Sequence, residues 1–157
     1  MKKYLVLAVL LFAPMVWAQG GVVTAGAESN LYAGASLGLD FFADEEFSLD
    51  GYFGFRDLLA TNVDLRANVG IILGGIDLTT LGASAIYNID SGSNVTPYLG
   101  GGLRVFFNGD TDLGIGFVGG ADIGLSDRFD LFTEFKSDVF FDGGSYGGIA
   151  VGGKYNF

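Results

Sequence analysis

The sequence predicts an all-β chain, an eight-stranded antiparallel up-and-down transmembrane β-barrel. Three observations lead there. Apolar and polar residues alternate with period two in eight separate runs, and the runs are joined by short segments rich in Gly, Asp, Asn and Ser. Half the residues are hydrophobic, yet no apolar stretch after the first 18 residues has the length a membrane helix needs. Twenty-seven glycines beside many Phe, Tyr, Val, Ile and Leu weigh against helix and toward strand.

The N-terminus sets the compartment. Lys2 and Lys3 precede an apolar run from Tyr4 to Val16, and Val16-Trp17-Ala18 ahead of Gln19 has the small-x-small form that signal peptidase cuts. The run is shorter than the roughly 20 residues a retained anchor would need. Residues 1–18 are therefore expected to be a signal peptide, and residues 19–157 a single barrel domain with strands from about residue 30. Cleavage there leaves six bases against 18 acids, a balance that excludes nucleic-acid phosphate as a partner.

Successive side chains of a strand point to opposite faces. Run one sets Leu31, Ala33, Ala35, Leu37, Leu39 and Phe41 against Tyr32, Gly34, Ser36, Gly38 and Asp40. Run two sets Phe47, Leu49, Gly51, Phe53 and Phe55 against Ser48, Asp50, Tyr52, Gly54 and Arg56. Run three is the cleanest, with Val63, Leu65, Ala67, Val69, Ile71 and Leu73 opposite Asp64, Arg66, Asn68, Gly70 and Ile72. Run four is weaker, from Thr79 to Asn88. Run five, Pro97 to Phe107, carries its proline near the strand start, where a lost ladder donor is tolerated. Run six spans Leu113 to Leu125, run seven Leu131 to Val139, and run eight Gly147 to Phe157. In every run the odd-numbered row is the apolar one. Those rows carry no charge, although 24 of the residues after position 18 are charged.

The connections fall into two sets, as a meander of hairpins requires: 57–62, 90–94 and 126–128 on the side of both termini, and 42–46, 74–78, 108–112 and 140–146 on the other. A soluble barrel also alternates, but it fills its interior with the apolar row. Here the charged row is crowded with glycine and suits a narrow packed lumen. The apolar row places Phe41, Phe47 and Phe107 at one end and Phe55, Tyr87, Tyr155 and Phe157 at the other, like the aromatic girdles that border a lipid-facing band. Only a closed barrel pairs all its backbone groups in lipid, and eight strands leave an interior that side chains fill.

Pro97-Tyr98-Leu99-Gly100-Gly101-Gly102-Leu103 and the terminal Val151, Gly153, Tyr155 and Phe157 resemble strand patterns of the small outer-membrane β-barrels. That family includes the OmpA transmembrane domain, OmpX, OmpW and proteins of the porin family. The resemblance covers nearly all of the chain after residue 18. It implies location in the outer membrane of a diderm bacterium, contact with outer-membrane lipid, and a C-terminal assembly signal, Val151, Tyr155 and Phe157, read by the barrel-assembly machinery. Enzymatic barrels of this kind rely on a histidine.

This chain has neither histidine nor cysteine, so the usual general base, the thiol nucleophile and the commonest metal ligands are missing. No catalytic, cofactor or metal residues are expected. The candidate site is a lumen ion-pair network of Asp64, Arg66, Arg104, Asp122, Glu134, Lys136 and Lys154, with Asp50, Arg56 and Asp138 nearby, because buried charges need partners. Carboxylates at Asp44, Glu45, Glu46, Asp77, Asp110, Asp112 and Asp142 form an acidic rim without calcium-loop spacing. Gly114-x-Gly116-x-x-Gly119 matches a dinucleotide fingerprint, but it continues a strand and no helix follows. The expected function is structural, stabilising the envelope without enzymatic activity. Two alternatives are a narrow pore for ions or small solutes and a surface binding module using the acidic loops.

Overall fold

A computed structural model describes residues 30–41, 46–73, 78–108 and 110–157. The expected signal peptide, and Asp44, Glu45 and Asp77 of the expected rim, lie outside the described residues. Eight strands follow one another: β1 (Leu31–Asp40), β2 (Glu46–Ala60), β3 (Val63–Leu73), β4 (Leu78–Asn88), β5 (Val95–Asn108), β6 (Asp110–Ser126), β7 (Phe129–Phe140) and β8 (Ser145–Asn156). Each pairs antiparallel with the next, and β8 pairs with β1, so the sheet is a closed barrel in up-and-down order.

Register explains why one parity faces one way. Along every ladder odd residues pair with odd, for instance Leu37 with Leu49 and with Val151. The exceptions lie past two irregularities at turns, where Ala60 pairs with Val63 and Ser126 with Phe129. Odd residues therefore share one face around the whole wall. That face is outward: Leu37, Phe47, Leu99, Leu103 and Val151 are each about 60% exposed or more. Apart from Gly51 and Gly147, which have no side chain to expose, the buried strand residues are even-numbered, and they include every buried charge among the described residues: Asp40, Asp64, Arg66, Arg104, Asp130, Glu134 and Lys154. The barrel is apolar outside and polar inside, the reverse of a barrel built for water.

The start of β1 and the end of β8 sit at one end, where Phe157 N donates to Leu31 O at 3.0 Å; this is the terminal end, and the opposite one is the loop end. Phe41, Phe47 and Phe107 are exposed at the loop end, and Phe55, Tyr87, Tyr155 and Phe157 at the terminal end. Exposed Phe141 and Phe129 join the two groups.

Several strand ends differ from the sequence expectation by a few residues, among them the starts of β5 at Val95 and β8 at Ser145, and three of the differences bear on the turns or the lumen. β2 runs on to Ala60 instead of ending near Arg56, through an irregular stretch in which Asp57 takes φ 52° and Asn62 φ 65°. The Asp57 carboxylate holds this turn by accepting from Asn62 N at 2.5 Å. Residues 110–112, expected in a loop, extend β6, with Asp112 opposite Phe106 and Asp110 opposite Asn108. β7 begins at Phe129, two residues early, and so brings Asp130 onto an inward position.

Candidate functional site

The lumen is narrow, and its contents follow from the alternation of glycines with long polar side chains on the even-numbered rows. Gly82 makes room for the Arg104 guanidinium and Asn68: a Cβ there would sit 2.6 Å from Asn68 Oδ1. At Gly102 a Cβ would meet the backbone itself, 2.6 Å from Ser84 Cα, so this wall approaches its neighbour too closely for any side chain.

At mid-height Arg66 Nη1 donates to Glu134 Oε2 at 2.7 Å, and Tyr98 OH donates to the same oxygen at 2.9 Å. All three residues are buried, and the Arg66 guanidinium also lies 5.2 Å from the centre of the Tyr52 ring. β3, β5 and β7 supply these groups, so the contact crosses the lumen. On the loop side Arg104 Nε lies 3.4 Å from Asp138 Oδ1, and Lys136 pairs with Asp50. On the terminal side Lys154 pairs with Asp122 and lies 3.7 Å from Asp130 Oδ2, which Arg56 Nη2 also reaches at 3.3 Å. Asn156 Nδ2 donates to that oxygen at 3.0 Å. Apolar clusters fill the rest: Ile72, Phe106 and Phe140 toward the loop end, and Tyr32, Tyr52 and Phe132 with Ile86, Tyr98 and Val118 toward the terminal end.

Of the seven residues expected in the network, six lie in ion pairs: Arg66, Arg104, Asp122, Glu134, Lys136 and Lys154. Asp64 differs. It is buried, but instead of meeting a base it accepts the backbone N–H of Asp57 at 3.3 Å, because the β2 irregularity brings that amide over it. Sequence reasoning missed three members. Asp130 falls between the expected turn at 126–128 and the run expected from Leu131, although its even number in a strand beginning at Phe129 marks it as inward. Asp40 lies on the inward row of run one but was not counted among the lumen charges. Tyr98 was read only as part of a strand pattern. Of the expected assembly signal, Val151 and Tyr155 face outward on β8, and Phe157 continues the same row at the chain end. In the acidic rim, Asp142 is exposed and accepts from Gly144 N at 3.3 Å.

Cavities lie on each side of the mid-height contact. The loop-side cavity, about 40 Å³, is bordered by Asp40, Asp50, Arg104, Lys136, Asp138 and Tyr146 among others. The terminal-side cavity is about 10 Å³. A water needs roughly 10 to 15 Å³, so the loop-side cavity has room for water and the terminal-side one is at the limit. Among the described residues no group of three or more Asp or Glu side chains is placed to hold a metal ion.

No protein-family model and no curated protein sequence matches the chain. Solved structures do. Neisserial surface protein A is 22% identical, with a TM-score of 0.65, over 83% of this chain and 99% of its own. The N-terminal β-barrel domain of Pseudomonas aeruginosa OprF is 17% identical, with a TM-score of 0.68, over 83% and 100%. The chain has the fold of the small bacterial outer-membrane β-barrels. The outer membrane enzyme PagL shares this fold too, at 11% identity and a TM-score of 0.59 over 80% and 99% of the two chains. The small-barrel fold thus hosts an enzyme as well as other proteins, and what this chain does has to be argued from its own side chains.

Proposed function

We propose that this chain is an integral outer-membrane barrel of a diderm bacterium whose role is structural, stabilising the envelope, with a lumen closed to through-flow. The carrying observation is the distribution of charge. A continuous outward belt of exposed Leu, Ile, Val and Phe surrounds an interior that holds the buried ion pairs. Monomeric soluble proteins rarely expose contiguous apolar patches beyond a few hundred Å², whereas a girdled apolar band is what hydrocarbon covers. With this reading come secretion through the signal peptide at residues 1–18, outer-membrane lipid as the surrounding partner, and insertion by the barrel-assembly machinery through Val151, Tyr155 and Phe157. The lack of histidine and cysteine supports a non-enzymatic role.

Heat-modifiable migration tests the membrane reading: detergent-folded protein left unboiled in SDS should run apart from the boiled sample, and in lipid vesicles the barrel should resist protease. Solubility and folding without detergent would refute it. Planar-bilayer recording tests the closed lumen. The two hydrogen bonds to Glu134 favour silence, and discrete conductance steps would replace the structural role with that of a narrow pore.

A further inference from the structure

Six bases follow position 18, and five of them are held by carboxylates of the lumen: Arg56, Arg66, Arg104, Lys136 and Lys154. Arg128 is the exception. Its even number would point it inward if alternation ran unbroken, but the β6–β7 register shifts between Gly124 and Ser126, and residues 127 and 128 form the turn. Ser126 Oγ holds that turn, accepting from Arg128 N at 3.4 Å and from Phe129 N at 3.1 Å. The guanidinium comes out instead on the outer wall, where Nη1 donates to Tyr155 OH at 3.4 Å. Arg128 and its neighbour Asp127 are both exposed, and no ion pair among the described residues includes either.

The wall around this turn is aromatic. Register sets Phe129 opposite Tyr155, and a Cβ on Gly153 would lie 2.9 Å from the Phe129 ring, so the glycine lets that ring rest against β8. Tyr155 and Phe157 meet edge to face, with ring centres 5.1 Å apart. The three rings are each about 40% exposed, and Leu125 beside the turn is 58% exposed. They belong to the terminal-end girdle, the level at which headgroups meet hydrocarbon. A guanidinium carries five N–H donors in a planar fork that matches phosphate, and only a neutral hydroxyl engages this one. That hydroxyl accepts from Arg128 and keeps its own proton to donate, so the two side chains offer donors together to one phosphate. Among the described residues the loop end has no base outside the lumen. Asp127 narrows the choice further: a carboxylate beside the guanidinium repels a ligand of net negative charge and suits one that carries a cation next to its phosphate.

We propose that the Arg128 turn binds the headgroup of a zwitterionic phospholipid of the phosphatidylethanolamine type, in the leaflet at the terminal end. Arg128 and Tyr155 hold the phosphodiester, Asp127 takes the ammonium, and the acyl chains lie along Phe129 and Leu125. The site rests on the membrane reading and gives its lipid contact a place and a chemistry. Continuity with the apolar belt favours a lipid over free phosphate, because a lone anion gains nothing from the rings.

Native mass spectrometry tests this on the full chain, folded in a phosphate-free maltoside detergent and titrated with short-chain phosphatidylethanolamine. The wild type is expected to retain one lipid and to prefer it over phosphatidylglycerol of the same chain length. Arg128→Gln should weaken retention about tenfold or more, the factor that a hydrogen bond to a charged group supplies. Tyr155→Phe, which keeps the ring, should weaken it about threefold. Asp127→Asn should erase the preference for the ammonium headgroup, and Asp142→Asn, at the loop end, should change nothing. Equal retention by wild type and Arg128→Gln would overturn the proposal. So would a wild-type preference for phosphatidylglycerol, or displacement of the lipid by an equal concentration of inorganic phosphate. If Tyr155→Phe does not fold, Arg128→Gln decides alone, since its side chain lies in an exposed turn. Failure of the membrane reading shows itself differently, as protein that folds without detergent; a barrel that inserts into vesicles but retains no lipid rejects this site and leaves that reading standing.

Discussion

Removing Glu134 should cost the barrel much of its stability, because one side chain terminates both hydrogen bonds across the lumen. Arg66 and Glu134 are 6% and 5% exposed, so the 0 to 1 kcal/mol typical of surface pairs does not apply. Breaking a buried pair by deleting one partner costs about 3 to 5 kcal/mol, because the remaining charge stays in a poorly solvated place. Tyr98 OH loses its acceptor in the same step, a loss of about 1 to 3 kcal/mol on its own, but the two share Glu134 and do not add. Glu134→Ala is therefore expected to destabilise by about 4 kcal/mol, close to a thousandfold in the folding equilibrium. Glu134→Gln keeps an acceptor for Arg66 Nη1 and Tyr98 OH while removing the charge, and should fall between Ala and wild type. The double change Arg66→Met with Glu134→Leu should return most of the stability, since a buried pair replaced by apolar groups of similar volume is often neutral. Urea titration of detergent-folded protein, followed by circular dichroism and by the unboiled gel band, measures all four. A Glu134→Ala barrel within 1 kcal/mol of wild type, or a double variant as weak as the single, would refute the reasoning.

Leu103 is 65% exposed in the middle of β5, and Leu73 is 55% exposed at the rim of β3. In lipid vesicles Leu103→Arg should destabilise by about 2 to 4 kcal/mol and Leu73→Arg by about 0 to 1, as measured by equilibrium refolding; equal costs would argue against the assigned membrane depth. At Gly102 even Ala is too large, because its Cβ would meet backbone atoms of β4 that cannot rotate aside. Gly102→Ala should lower the refolded fraction on unboiled gels by at least the roughly 1 to 3 kcal/mol of an overpacked site, whereas Gly92→Ala, with open space but a φ of 65°, should cost less. Phe157→Ala should reduce the amount of barrel reaching the outer membrane in cells while leaving refolding from urea into detergent nearly unchanged, if its role lies in assembly.

What the sequence made legible was whatever depends on period two. An odd-numbered apolar row in eight runs settles the strand count, the meander and the facing, because pairing odd with odd carries the pattern from one hairpin to the next. Wherever that bookkeeping breaks, the reading loses its grip. Past the irregularity in β2 the register slips by three residues, and there the sequence showed only a polar turn, while the folded chain carries strand pairing on to Ala60 and swings the Asp57 amide over Asp64. Asp130 went unrecognised for a related reason: the early start of β7 depends on Ser126 Oγ accepting from Phe129 N at 3.1 Å, a local device that alternation cannot report.

The choice of ion partners was out of reach for a different reason. Arg66 and Glu134 are 68 residues apart and meet only because eight strands close at one particular stagger, a property of the whole sheet. A sequence of this kind lists which charges must share the lumen, but the closed register decides which of them meet. It also decides which carboxylate is left over. Asp40 stands on the same inward row as residues that found ion partners, yet it has none among the described residues, because Lys136, level with it across Gly148, reaches Asp50 instead.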